Sequence, residues 1–385
     1  MFDLIISIIV YGLTGLILYS LANSMAILDA RSIRITGRHS PMWSIFFLIS
    51  IAVFAIVSGA RYNTGVDHLN YLAQYSAGGE ETDEPLFYMI SHFLSGMGVH
   101  YFFYFALWAS IQITFVYLAM KDHREMLPFI ALAIMLGPYY LDWMNGIRQT
   151  IVECFFLFVV CFFTKEKTKK RFLLCVMLLI IATTIHRSAW ILILLLLLSI
   201  VKIPMRNKWI NITIAFLCII VGMTPYWINM NSSGVAEVLA ILGYDHYSLV
   251  YEEMVEMADF QDTAMGPLRI LSLLVDLAII WFYPRMEEFY KSDNTLSSFF
   301  LYFMLGVFAY NLFANTNILF LRPIAYLTIF KLPMIGYMLY YLKTTKNSLY
   351  SILAVMIFSY AMIDVLKSGL LGVKPFNLYH FFFFS

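Results

Sequence analysis

Apolar residues run through this chain in long blocks rather than at alternating or heptad spacing. Stretches of about 20 apolar residues are what a helix needs to cross the hydrocarbon core of a bilayer. Such runs fall at 4–22, 41–60, 101–120, 126–141, 150–164, 172–201, 209–228, 268–284, 296–314, 318–342 and 348–366. The run 172–201 is 30 residues long and is interrupted by His186-Arg187, so it reads either as one tilted helix or as two short ones. A different pattern occupies 85–97, where Leu86, Met89, Ile90, Phe93, Leu94 and Met97 recur at helical spacing behind Pro85. This predicts an amphipathic helix lying on a membrane surface, with Tyr88, Ser91, His92 and Ser95 on its polar side.

Charge decides between the two readings of 172–201. If it forms two helices, the loops holding Arg31/Arg34/Arg38, Lys121/Arg124, Lys165 to Arg171, Lys202/Arg206/Lys208, Arg285/Lys291 and Lys343/Lys346 share one side. That side then carries 17 of the 25 basic residues and is cytoplasmic by the positive-inside rule. With one helix, the 165–171 and 202–208 clusters would lie on opposite sides. The expected fold is therefore an all-α polytopic membrane protein. It has about twelve transmembrane helices, one pair short or re-entrant, and both termini outside. The first run has no basic n-region or small-residue cleavage site and is read as a retained helix.

Composition agrees, with 61% hydrophobic residues, 13% charged residues and a mean hydropathy of +0.78; soluble domains carry about 25% charged residues. A net charge of +1 speaks against a nucleic-acid partner. Cys154, Cys161, Cys175 and Cys218 all sit in apolar runs without the spacing of a zinc or disulfide framework. No other metal-ligand spacing is visible, so the expected chemistry needs neither metal nor cofactor. Residues 1–385 read as one integral membrane domain, with an outer loop and amphipathic helix at 61–98 and a large outer loop at 229–267.

On this topology the outer face holds Arg61, Arg148, Arg187, Arg269 and Arg322 near helix ends, whereas lysine outnumbers arginine in the cytoplasmic loops. Guanidinium groups grip phosphate through a planar fork and stay charged when partly desolvated. Snorkelling or pairing with carboxylates is the bland explanation, equally good for each arginine alone. Five at one depth favour a shared anionic ligand. In the first outer loop Gly65 permits a turn that could fold Asp67 back beside Arg61. The segment Asp142-Trp143-Met144-Asn145-Gly146-Ile147-Arg148-Gln149 mixes a carboxylate, amides, an indole and a guanidinium, as sugar sites do, although Asn-Gly also suits a tight helix turn. His186-Arg187-Ser188, between two apolar half-helices, is hard to explain by packing. In 229–267 seven acids interleave with Tyr244, His246, Tyr247 and Tyr251. An acidic solvated face explains this, and a glycan-binding lid would fit too.

These residues resemble the EpsG-like, Wzy-type polymerases of bacterial exopolysaccharide and O-antigen synthesis. The resemblance lies in Arg61…Gly65-x-Asp67…Tyr71, Glu84-Pro85, Ile147-Arg148-Gln149, His186-x-Ser188-Ala189, a late Arg322 and a Pro375-Phe376 tail. The chain departs from the expected pattern at His68, at Thr150 and at Phe376. The resemblance implies a GT-C-like fold in the bacterial cytoplasmic membrane and a site facing the periplasm or exterior. The implied reaction joins oligosaccharide repeat units carried on polyprenyl diphosphate. Donor and acceptor glycolipids would be the partners, beside membrane lipid and, in some systems, a chain-length regulator.

In that reaction an acceptor hydroxyl attacks the anomeric carbon of the donor, and the lipid diphosphate leaves with growing negative charge. Arg148, Arg187, Arg269 and Arg322 are the expected clamp, with Arg61 ordering the first loop. His186 and Asp67 are the two candidates for general base; neutral His186 would suit a pocket lined with arginines. Tyr71, Glu84, Asp142, Asn145 and Gln149 complete the substrate-binding set. A flippase for the same lipid-linked sugars, a membrane acyltransferase and a non-enzymatic scaffold are the rival readings.

Overall fold

A computed structural model describes residues 1–79, 84–201, 205–224, 227, 266–291, 293–315 and 318–384. The chain starts with α1 (Phe2–Thr36), α2 (Ile45–Gly59), α3 (His68–Ser76), α4 (Pro85–Gly96) and α5 (Tyr101–Ala119). Next come α6 (Leu127–Leu136), α7 (Tyr139–Trp143), α8 (Ile147–Lys165), α9 (Lys169–Thr183), α10 (Ile191–Leu198) and α11 (Lys208–Gly222). The described remainder holds α12 (Pro267–Phe289), α13 (Asn294–Phe313), α14 (Ile318–Thr328), α15 (Lys331–Thr344), α16 (Tyr350–Phe358) and α17 (Tyr360–Leu371). Among the described residues, six helical stretches are long and apolar enough to cross a membrane: α1, α5, α8, α12, α13 and α16 continued by α17. Helices α2 and α11, and α10 with its preceding turn, are shorter and also apolar. The protein is thus an all-helical, multi-pass membrane protein.

Local chemistry sets many of the boundaries. Ser44, Thr168, Asn207 and Asp293 cap α2, α9, α11 and α13 by accepting first-turn N–H groups, which have no intrahelical acceptor. The apolar run 172–201 is divided as the charge argument expects: α9 stops at Thr183, and a 3-10 turn at Arg187–Trp190 leads into α10.

Two runs expected to be continuous are broken. The run 126–141 stops at Gly137-Pro138 before the short α7. The run 318–342 splits into α14 and α15 through i→i−3 bonds from Phe330 N to Leu327 O and from Leu332 N to Ile329 O. Pro333 supplies the reason: it has no N–H for the Ile329 carbonyl and its ring crowds that carbonyl, so it fits a first turn and not a helix interior.

In the core α1 packs along α6 and α2, α2 along α5, and α5 along α8. Large buried side chains, among them Trp108, Tyr11, Tyr140, Tyr302 and Tyr337, fill the spaces between them. Outward faces carry apolar side chains such as Leu173, Met177, Ile180 and Ile181 on α9, as lipid contact requires. Helix α4 forms where expected, and only Ser91 departs from the polar side assigned to it. Met89, Phe93 and Met97 are exposed, while Ser91 is buried with its hydroxyl on Phe87 O and Tyr104 OH. The polar stripe therefore reaches into protein at Ser91, because a partner hydroxyl waits there.

A late segment closes over the loop after α2. Phe381 bridges antiparallel to Arg61, Tyr62 N donates to His380 O at 2.8 Å, and Gly65 N donates to Phe376 O at 2.8 Å. Tyr379 is buried, donating its hydroxyl to Val57 O (2.6 Å) and its N–H to Ser7 Oγ (2.7 Å).

Candidate functional site

The loop after α2 begins with Arg61, whose side chain is 2% exposed and lies over the Phe105 ring at 5.3 Å. It makes no ion pair with Asp67; the fold-back expected at Gly65 is absent. Instead the turn carries the chain toward α7 and α8. Gly65 has φ of +92°, and a Cβ there would stand 2.9 Å from Asn145 Oδ1. Glycine thus allows Val66 N to donate to Asn145 Oδ1 at 2.6 Å. His68 follows in the core, stacked on Phe105 at 4.6 Å, and burial, aided by the charge of Arg61, pushes its imidazole down to about 3. It is a neutral packing residue.

Glu84 is the hub of the site. It precedes α4, whose first N–H groups, Leu86 and Phe87, both donate to Thr184 O at the end of α9. This zips the start of α4 against the break before α10. Glu84 Oε2 accepts from Arg148 Nη1 at 2.5 Å, Oε1 accepts from His186 Nδ1 at 2.6 Å, and the Arg187 backbone N–H adds a 3.1 Å bond to Oε1. Burial disfavours the charged carboxyl, but the His186 bond and charge, the Arg148 charge and the Arg187 N–H outweigh it and hold Glu84 below its ordinary value. Since an ionised carboxylate only accepts, His186 Nδ1 carries a proton, and in the neutral ring the lone pair is then on Nε2. Nε2 makes no hydrogen bond to a described residue. The partner found against His186 is thus a carboxylate, where a lining of arginines was expected.

Beside this hub opens a cavity of about 740 Å³. Its wall includes Asp67, Tyr71, Asp142, Asn145, Arg148, Gln149, His186 and Arg322, eight of the residues singled out from sequence. Arg148 lies over the rings of Tyr71 (5.9 Å) and Phe87 (5.6 Å). Gln149 Nε2 donates to the Arg322 carbonyl at 2.8 Å, tying α8 to α14. Asp142 opens onto the cavity and is exposed there.

Arg61, Arg187 and Arg269 are not part of the wall. Arg187 brings its backbone to Glu84 while its side chain is exposed, and Arg269 Nη1 donates to Asn315 Oδ1 at 2.8 Å. Glu84 stands behind the wall and positions two of its members.

The chain matches the family model described as "EpsG family" over residues 44–378. It belongs to the EpsG family. EpsG proteins are Wzy-like polysaccharide polymerases, and the match spans every cavity residue discussed. Comparison with curated proteins and with solved structures found no match.

The cavity of this EpsG-family protein also holds Glu153, Asp276 and Lys331, which the sequence reading did not select. Lys331 Nζ forms an ion pair with Asp276 Oδ1 at 2.7 Å and donates to Ser272 Oγ at 2.7 Å and Ser272 O at 3.0 Å. Each is an ionisable residue inside an apolar run, a signal that calls for a function or a partner. The large segment 229–267, with its lid reading, lies outside the described residues except at its end.

Proposed function

We propose that this EpsG-family protein joins oligosaccharide repeat units carried on polyprenyl diphosphate, in a site facing the outer side of the membrane. The observation that carries this reading is the Arg148–Glu84–His186 cluster opening on one large cavity. A guanidinium and a histidine with a free Nε2 on one wall answer the two needs of the reaction. As the acceptor oxygen bonds to the anomeric carbon, the bond from that carbon to the diphosphate oxygen breaks, and the electron pair stays with the diphosphate. Arg148 and Arg322 stabilise this charge, and the acceptor hydroxyl proton passes to His186 Nε2. Glu84 holds the tautomer that leaves Nε2 basic and fixes the Arg148 side chain, as the orienting carboxylate does in other acid–base sites.

A cavity of this size suits several sugar rings rather than one, since drug-sized ligands occupy roughly 300–1,000 Å³. The exposed Met89, Phe93 and Met97 of α4 offer an apolar approach for a lipid tail next to the Glu84 hub. The decisive experiment incubates purified protein with lipid-linked repeat units and looks for a ladder of polymer. Transfer of the lipid-linked sugar across the bilayer without a ladder would replace this reading with that of a flippase. For orientation, cysteine placed at Asn63 should react with an impermeant reagent in intact cells and cysteine at Thr168 should not; the reverse pattern would turn the site to the cytoplasm.

A further inference from the structure

The cavity is chemically uneven along α8. Arg148 sits in the first turn, and Glu153 lies about 7.5 Å farther along the axis at 1.5 Å rise per residue. Glu153 is buried in mid-helix, forms no ion pair among the described residues, and uses only Oε1, which accepts from Gln149 Nε2 at 2.9 Å. Oε2 has no hydrogen-bond partner there. This contrasts with Asp276, whose charge is balanced by an ion pair with Lys331 at 2.7 Å. Close by, Tyr139 is 7% exposed, lines the same cavity and has a hydroxyl with no hydrogen-bond partner among the described residues. Asp142 opens onto the cavity from the same turn of chain, and Trp143 packs edge-on to Tyr139 at 6.2 Å.

Neither Glu153 nor Asp142 forms an ion pair among the described residues, and neither offers a diphosphate a positive partner. Sugar hydroxyls do find partners here: they donate to carboxylates in charge-assisted bonds, and their ring faces lie against aromatic rings. Unpaired polar groups at membrane depth are costly, which makes a hydroxyl-rich ligand the natural partner for Glu153 and Tyr139. We propose that Glu153, Tyr139 and Asp142 form a saccharide subsite, so that a lipid-linked sugar lies along α8 with its diphosphate at Arg148 and its sugar hydroxyls at Glu153. This assignment rests on the polymerase reading for its ligand class.

The test measures binding of two probes to the full chain in lipid nanodiscs: the lipid-linked repeat unit from a producing strain, and sugar-free polyprenyl diphosphate. Glu153→Gln and Tyr139→Phe are near-isosteric. Each should weaken the sugar-bearing lipid about tenfold, the value of one hydrogen bond to a charged or buried group, and leave the sugar-free lipid within about twofold. Arg148→Lys should weaken both probes. Equal weakening of both probes by Glu153→Gln and Tyr139→Phe, or no effect of either on the sugar-bearing lipid, overturns the subsite. If one variant fails to fold, the other decides. Wild-type protein that shows the predicted discrimination but forms no polymer keeps the subsite and loses the polymerase reading. A polymer ladder unaffected by both variants does the reverse.

Discussion

Glu84 Oε1 and His186 Nδ1 stand 2.6 Å apart although 102 positions separate them in the chain. The same carboxylate holds Arg148, so one side chain sets the geometry of both the proposed proton acceptor and the proposed phosphate-binding group. Its folded-state value is lowered from 4.5, so its stabilising contribution is complete above pH 4.5 and is lost as pH falls through the lower folded value. Glu84→Gln should therefore cost about 2–3 kcal/mol near neutral pH. The gap between wild type and variant should close in melting experiments run below pH 4.5. A gap independent of pH would mean that packing, not charge, explains the loss.

Arg148 and Arg269 provide an internal comparison. Arg148 opens on the cavity and Arg269 does not. Arg148→Lys keeps the charge but loses the planar fork, and should lower the polymerisation rate about 30- to 1,000-fold, or roughly 2–4 kcal/mol of transition-state stabilisation. Arg269→Lys should retain most of the activity. Equal sensitivity of the two would detach the diphosphate from the Arg148 end.

For His186 the informative change is to glutamine. His186→Ala should abolish polymer formation while binding of the donor lipid persists, because binding rests on the arginines. Gln preserves a hydrogen bond but cannot accept the proton, so it should be as inactive as Ala. Recovery of most activity with Gln would leave His186 an orienting role only.

Gly65→Ala probes how the loop is set. The left-handed backbone and the 2.9 Å approach of Asn145 Oδ1 to a Cβ should together cost roughly 1–3 kcal/mol. The loss should appear both as a lower melting temperature and as weaker substrate binding, since Val66 would be pushed off Asn145. A variant of unchanged stability would show that the turn relaxes freely.

Much of this site was legible from residue type and place. Arg148, His186, Asp67 and Asn145 stand out because charged and amide groups are scarce in so apolar a chain, and the break at His186-Arg187 follows from charge parity. Glu84 stood in the expected substrate-binding set, but its place behind the wall was not legible: only the pairing of the first turn of α4 with Thr184 brings it to Arg148 and His186. Glu153, Asp276 and Lys331 escaped because they lie inside hydrophobic runs, where scanning for spans averages them away. Pro333 signals the division of 318–342, a local cue that the length of the apolar run hides.

The pairing of the 376–382 segment with residues 60–65 bears on how the protein is made. Thr64 Oγ1 bonds Leu378 O and accepts from His380 N, contacts spanning more than 300 positions. Contacts that distant form late. A ribosome delivers α2, α3 and Asp67 to the membrane long before their partner strand exists, so during biogenesis the first loop must wait, unpaired, until residues 376–382 arrive. A chain stalled or cut before Pro375 would carry all its long apolar helices and still lack the segment that pairs with the loop after α2.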